Sequence, residues 1–371
     1  MAATWAPEVL DLFLELAAIP SPSGEEAPVA TVIGSYLTDL GLEHELDEAG
    51  NLLARLPADG DGDGRPILLC AHMDTVPPLG PIEPVVDDEG VVRNAAGTIL
   101  GADNKAAVAV MLEAARLVLA ERRPHSTVEL LFTVREETGL QGAIAFDHTR
   151  LEAREGFVYD SSGAVGNVIR SSPWGRTIDV VFKGRAAHAG LAPEEGRSAI
   201  LAASRAIADL RLGRIDEETT ANVGRITGGS ARNVVPERCE LAVEARSRNQ
   251  TKLAELVQEL VDGFAFAASV SECEVETTIS ESYPGYRFQA DAPVFRRACE
   301  AVERAGVAAT PVDSGGGADA NVFNARGLAC VNLANGMQQV HTPDEHIAVA
   351  DLERMVAVTL ELVELARQAD A

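Results

Sequence analysis

Residues 66–71 read Pro-Ile-Leu-Leu-Cys-Ala, an uninterrupted apolar run that stops at His72-Met73-Asp74. A strand with one face in water alternates polar and apolar residues. A run without alternation is a strand covered on both faces. Similar buried strands are expected over 127–134 and 156–159. The apolar spacing is helical before them, over 7–18 and 25–40, and between the first two, over about Asn104–Ala120. Pro20-Ser21-Pro22-Ser23-Gly24 breaks the first two helices apart, and weak alternation over 42–56 predicts a hairpin turning at Ala49-Gly50-Asn51. Helices alternating with doubly covered strands make an α/β fold.

The pattern changes near residue 175. Strands over Gly175–Lys183, Ala221–Thr227, Arg238–Arg246 and Ser271–Ser280 interleave with helices over Ser198–Leu210 and Lys252–Phe266. That βαββαβ order is the ferredoxin-like pattern with an antiparallel sheet. The α/β pattern returns with a helix near Pro293–Ala305, a strand at Gly327–Leu333 and a helix at Leu352–Ala366. The expected organisation is an α/β domain over 1–174 and 286–371, interrupted by an α+β insert over 175–285.

Composition narrows the partners. The 371 residues carry a formal net charge of −26, which repels nucleic acid and anionic membrane surfaces, and only 4% are aromatic, too few to suggest base stacking. Cys70, Cys239, Cys273, Cys299 and Cys330 are odd in number and scattered, which suits neither a disulfide framework nor a thiolate metal site. The first residues lack a basic segment, and Glu8, Asp11 and Glu15 interrupt their apolar positions. They do not read as a signal peptide, and a cytoplasmic protein is expected. Asp59-Gly60-Asp61-Gly62-Asp63-Gly64 opens like a calcium loop, but Cys70 stands where that loop needs a bidentate Glu, so it reads as a solvated turn.

The chemistry gathers where strands end. His72 and Asp74, two apart, share a strand face, so the Asp is placed to accept one imidazole N–H and leave the other nitrogen for a metal. Asp103 immediately precedes the long helix, Glu136-Glu137 follow the strand 127–134, and Asp160 follows the strand 156–159. Singly, these read as an N-cap, a solvated pair and a turn aspartate. Together they fall at the carboxyl edge of one sheet, where ligands of open α/β folds bind. Several like charges there need a positive counterpart. With His72, Asp103, Glu137, Asp160 and His341 as ligands, three carboxylates against two divalent cations leave one positive charge, balanced by a bridging hydroxide. This sulfur-free set suits zinc, with cobalt or manganese as alternatives. Glu136 is then spare, placed to take a proton from water and pass it to a leaving amine.

These stretches resemble a known family. His72-Met73-Asp74-Thr75-Val76-Pro77-Pro78, Gly101-Ala102-Asp103-Asn104-Lys105-Ala106, Glu136-Glu137-Thr138-Gly139, Tyr159-Asp160-Ser161-Ser162-Gly163 and His341-Thr342-Pro343-Asp344-Glu345 are similar, in order, to the di-zinc peptidases that include peptidase T, carboxypeptidase G and acetylornithine deacetylase. The flavour is nearest to peptidase T. The resemblance implies a zinc-peptidase α/β/α catalytic domain with an inserted ferredoxin-like lid through which two copies form a homodimer. It implies that His72 and Asp160 hold one ion and Glu137 and His341 the other, that Asp103 bridges them, and that Asp74 orients His72. Glu136 would be the general base of an exopeptidase acting on small peptides, of aminopeptidase or tripeptidase type. A cis Asp103–Asn104 peptide is common among relatives.

In the insert, Ala187-His188-Ala189-Gly190 reads alone as a surface histidine. The resemblance makes His188 an oxyanion-stabilising residue that reaches a partner's site. Asn233 would contact substrate, and Arg246 would bind a substrate carboxylate or form a structural salt bridge. Asn104 and Ala107 depart from the family's commoner Asp-Lys-Ala-Gly, and Ala318 departs from its glycine turn. A carboxypeptidase and an N-acyl-amino-acid deacylase are competing activities within the family. A silent metal-binding scaffold would lack the base or a ligand, and none is missing from the motifs.

Overall fold

A computed structural model describes residues 9–59 and 64–368. The first eight residues, which do not read as a signal peptide, and the centre of the Asp59–Gly64 turn lie outside the described residues. The chain forms two compact units, one comprising residues up to Ser171 with Phe288–Ser314 and the chain from Ala318, the other Ser172–Arg287 with Gly315–Gly317.

In the first unit a mixed sheet runs in the order Glu43–Leu46, Leu52–Leu56, Val128–Thr133, Ile67–His72, Glu155–Ser161, Ala329–Ala334 and Asn167–Ser172. The central strands Val128–Thr133, Ile67–His72, Glu155–Ser161 and Ala329–Ala334 are mutually parallel. Their carboxyl ends therefore share one edge. Ile67, Leu69 and Ala71 join the main core, whereas Cys70, on the opposite strand face, approaches Asp319 at the start of helix Asp319–Ala325. Both faces are covered, which accounts for the missing alternation. Helix Ala102–Ala120 is buried on nearly every side, packing against Val9–Ala17, Val349–Arg367 and strand Ile67–His72. A helix apolar all round belongs in such an interior.

The periodicity did not reveal several short elements. Pro84–Val86, Val91–Asn94 and His346–Ala348 form a separate small antiparallel sheet, and Thr310–Asp313 pairs with Asn167–Ser172. Each is too short to show a period of two.

The second unit is an antiparallel sheet in the order Gly213–Arg214, Thr219–Gly228, Arg238–Ser247, Trp174–Lys183, Glu274–Tyr283. Helices Ala199–Asp209 and Gln250–Val270 cover one face over Ile178, Val180, Phe182 and Leu241, the second helix contributing Phe264. The element order is βαββαβ, apart from the two-residue strand at Gly213.

Candidate active site

The parallel edge of the first unit assembles the acidic motifs. His72 is the last residue of its strand and is almost completely buried. Its Nδ1 faces the Asp74 carbonyl oxygen at 2.9 Å and the Asp74 carboxylate at 3.4 Å, so the nearer acceptor is backbone rather than side chain. Its Nε2 looks the other way, 3.1 Å from Asp103 Oδ1 and 3.6 Å from Asp160 Oδ1. The second carboxylate oxygen of Asp103 lies 3.2 Å from His341 Nε2, which also sits 2.9 Å from Glu137 Oε1. Asp103 thus stands between two histidines, one oxygen on each.

Local backbone explains these directions. Gly101 takes the left-handed φ of 76° that turns the chain into the helix, and the peptide after Asp103 is cis. Asp103 has ψ 100°, outside the helical region, and its side chain caps nothing. The N-cap reading is therefore displaced, and the carboxylate is free to face the histidines. His341 itself has φ 64°, uncommon for a residue with a Cβ.

The Glu136-Glu137 turn is held by its amides. Arg135 N–H donates to Glu26 Oε1 at 3.0 Å, Glu136 N–H to Asp74 Oδ1 at 2.9 Å and Glu137 N–H to Asp74 Oδ2 at 3.1 Å. Ser23 donates its hydroxyl to Asp74 Oδ2 at 2.6 Å. The Pro20–Gly24 breaker is thus also a brace for the site. Asn332 brackets Asp160, accepting its N–H at 2.8 Å and donating to its carbonyl at 2.7 Å.

Ligand atoms of His72, Asp103 and Glu137 lie within 4.8 Å of one another, as do those of His72, Glu136 and Asp160. Buried carboxylates and imidazoles at this spacing, without sulfur, are a donor set for hard or borderline divalent cations. Burial would push His72 down, but Asp103, Asp160 and Asp74 outweigh it and hold the imidazole well above its ordinary value. Burial likewise opposes the charge on Asp103, yet His341 and His72 keep its carboxyl far below the usual range. Burial and the neighbouring Asp160 push Glu136 well up.

This has a sign that can be measured. Hydrogen bonds to Asp103 and Glu137 raise His341 to about 10 from an ordinary 6.5. A raised histidine contributes its full stabilisation below the unfolded value and loses it as pH climbs through the folded one. The chelated protein should therefore melt at progressively lower temperature between about pH 6.5 and 10. Saturation with zinc should remove or reverse that slope, because imidazoles bind cations only when deprotonated. Thermal unfolding followed with and without chelator across this range checks it. A chelated protein equally stable throughout would contradict the pairing.

His188, Asn233 and Arg246 lie in the second unit. His188 is exposed and accepts the Gly190 N–H at 3.2 Å, and its segment is bonded to that of Asn233 through Ala189 N–H to the Asn233 carbonyl at 2.9 Å. Arg246 donates to Glu244 at 2.7 Å and to the Gly315 carbonyl at 3.3 Å.

Sequence reasoning did not single out Ser23, Glu26, Asn332 or Asn335, nor roles for Asp319 and Glu345. Asp319 is buried behind the site, takes a 2.5 Å hydrogen bond from Thr133, and is pushed up to about 7 by burial. Glu345 closes the motif that begins at His341, so the sequence displays it without disclosing its task. The others act on groups far along the chain, Ser23 on the Asp74 carboxylate, Glu26 on the Arg135 N–H, Asn332 on the Asp160 backbone and Asn335 on Asn104 Oδ1 and the Tyr159 carbonyl, and leave no spacing signal.

A family profile described as Peptidase family M20/M25/M40 matches residues 68–365. The chain is 38% identical over 364 residues to uncharacterized protein YqjE of Bacillus subtilis, spanning 96% of this chain and 97% of the relative. It superposes on the crystal structure of aminopeptidase PepT from Bacillus cereus with a TM-score of 0.88 at 37% identity, covering 97% of this chain and 98% of that one. A tripeptidase from Staphylococcus aureus gives a TM-score of 0.92 at 34% identity, over 97% and 98% of the two chains.

Proposed function

The chain belongs to peptidase family M20/M25/M40 and is a metal-dependent peptide hydrolase, and on that premise we propose that it is a dinuclear exopeptidase releasing residues from the free amino end of small peptides, of tripeptidase type. The carrying observation is Asp103, with one oxygen on His72 and the other on His341. Similarity to an aminopeptidase and a tripeptidase supports the choice of peptide end.

In this reading His72 and Asp160 would hold one divalent cation and Glu137 and His341 the other, with Asp103 a ligand shared by the two. Zinc is the first choice for that set, with cobalt or manganese as substitutes. Bound there, the cations supply Lewis acidity and make water easier to deprotonate. Asp74 orients His72 and pins the Glu136-Glu137 amides. Glu136, raised by burial, accepts the proton of the attacking water and delivers it to the departing amine. Asn233 and Arg246 contact the substrate, and His188 of a second copy stabilises the oxyanion in a homodimer formed through the inserted lid. The same reading makes the enzyme cytoplasmic. Among the described residues, no helix is long and apolar enough to cross a membrane.

The test sets free-amine tripeptides against the same peptides N-acetylated. Cleavage of the free-amine set, with acetylation abolishing it, is the expected result. Faster hydrolysis of the acylated set would move the protein to the deacylase or carboxypeptidase reading.

A further inference from the structure

Glu345 is a charged side chain only 2% exposed, and it is not among the ligands. Its Oε2 accepts the N–H groups of Leu100 at 2.8 Å and Gly101 at 2.9 Å, and its Oε1 accepts that of Asp103 at 2.9 Å. These amides open the helix Ala102–Ala120. Its N-cap, Gly101, has no side chain with which to satisfy them. A carboxylate 242 residues away in sequence supplies the cap instead. Oriented backbone N–H groups at a helix start form a cradle for an anion, and here the anion belongs to the protein.

Glu345 also ends the stretch His341-Thr342-Pro343-Asp344-Glu345, where its own N–H donates to the Thr342 carbonyl at 3.1 Å. The following strand His346–Ala348 anchors this stretch on Val91–Asn94. One side chain therefore ties the loop carrying His341 to the loop carrying Asp103. Nearby, Lys105 is 0% exposed, donates its Nζ to the Ile19 carbonyl and feels the charge of Glu345.

We infer that Glu345 is a positioning residue for the metal centre: by gripping the Leu100, Gly101 and Asp103 amides from the His341 loop, it sets the distance between Asp103 and His341 and so the affinity for the cation they share. This rests on the dinuclear reading. A glutamine cannot replace it. Its amide oxygen can accept from one side of the cradle, but its NH2 group then meets an N–H that also needs an acceptor.

The test titrates Co2+ into metal-free full-length wild-type and Glu345→Gln proteins, reading the visible absorption of bound cobalt and, in chelator, the melting temperature. Wild type should take up two ions. Glu345→Gln should bind the ion shared by Asp103 and His341 roughly 10–100-fold more weakly, the usual penalty for losing an outer partner of a ligand, and the ion that shares only Asp103 less weakly than that. Excess Co2+ should then restore its kcat while KM for peptide stays unchanged. Two ions bound at wild-type affinity would overturn the assignment. So would a lowered metal-free melting temperature with unchanged Co2+ binding, the mark of a purely structural residue. If Glu345→Gln does not fold, the double variant Lys105→Met/Glu345→Gln, which removes both buried charges, takes the same titration with the same criteria. A wild type that binds fewer than two ions would sink the dinuclear reading and this assignment with it, whereas an unaffected variant beside a two-ion wild type would sink this assignment alone.

Discussion

Glu136→Gln should retain both cations and lose about 10²–10⁴-fold in kcat, the ordinary worth of general acid–base catalysis. The substitution keeps the size and shape of the side chain. The turn is held through the amides of Arg135, Glu136 and Glu137 rather than through the Glu136 carboxylate, so its geometry should survive. What disappears is a group able to take a proton. Burial and the charge of Asp160 raise the Glu136 carboxyl well above its ordinary value, which makes it a stronger base than an exposed glutamate. KM should change little, because the lost interaction belongs to the transition state. Steady-state kinetics together with elemental analysis of the purified variant would decide it. Near-normal turnover at full metal content would remove Glu136 from the role.

Asp103→Ala should be more damaging to the cations themselves. Its carboxylate faces His72 at 3.1 Å and His341 at 3.2 Å, so its loss strips an oxygen from each half of the site. We expect apparent zinc affinity to fall by at least about 100-fold, beyond the roughly 10–100-fold typical of an outer partner. Activity should fall with it and should not return at moderate zinc excess. Equilibrium dialysis measures the binding, and the metal-free melting temperature shows whether the fold persists. Wild-type uptake of two ions by Asp103→Ala would refute the bridging arrangement.

The architecture was legible where a physical rule leaves a long trace. A strand covered on both faces must be apolar throughout, as residues 67–71 are, and a helix buried all round must be as alanine- and valine-rich as Ala102–Ala120. The meeting of His72, Glu137 and Asp160 was legible because each lies at or just past the end of a strand, and parallel strands end together. His341 was harder, since it sits in a loop with no flanking period. Ser23, Glu26 and Asn332 were invisible for a different reason. Their partners are a carboxylate or amides and carbonyls far along the chain, and a hydrogen bond to a distant group places no demand on neighbouring residue types. The short strands at Pro84–Val86 and Val91–Asn94 failed for want of length.

The placement of His341 bears on how such an enzyme is made. Four of the ligand candidates, His72, Asp103, Glu137 and Asp160, leave the ribosome well before the fifth, and Glu345 follows later still. A nascent chain carrying the early candidates still lacks the central strand Ala329–Ala334, whose Asn332 brackets Asp160, and under the proposed ligand set the centre would stay incomplete until residue 341 had emerged. On the proposed ligand set, the order of synthesis itself would keep unfinished copies from cutting peptides.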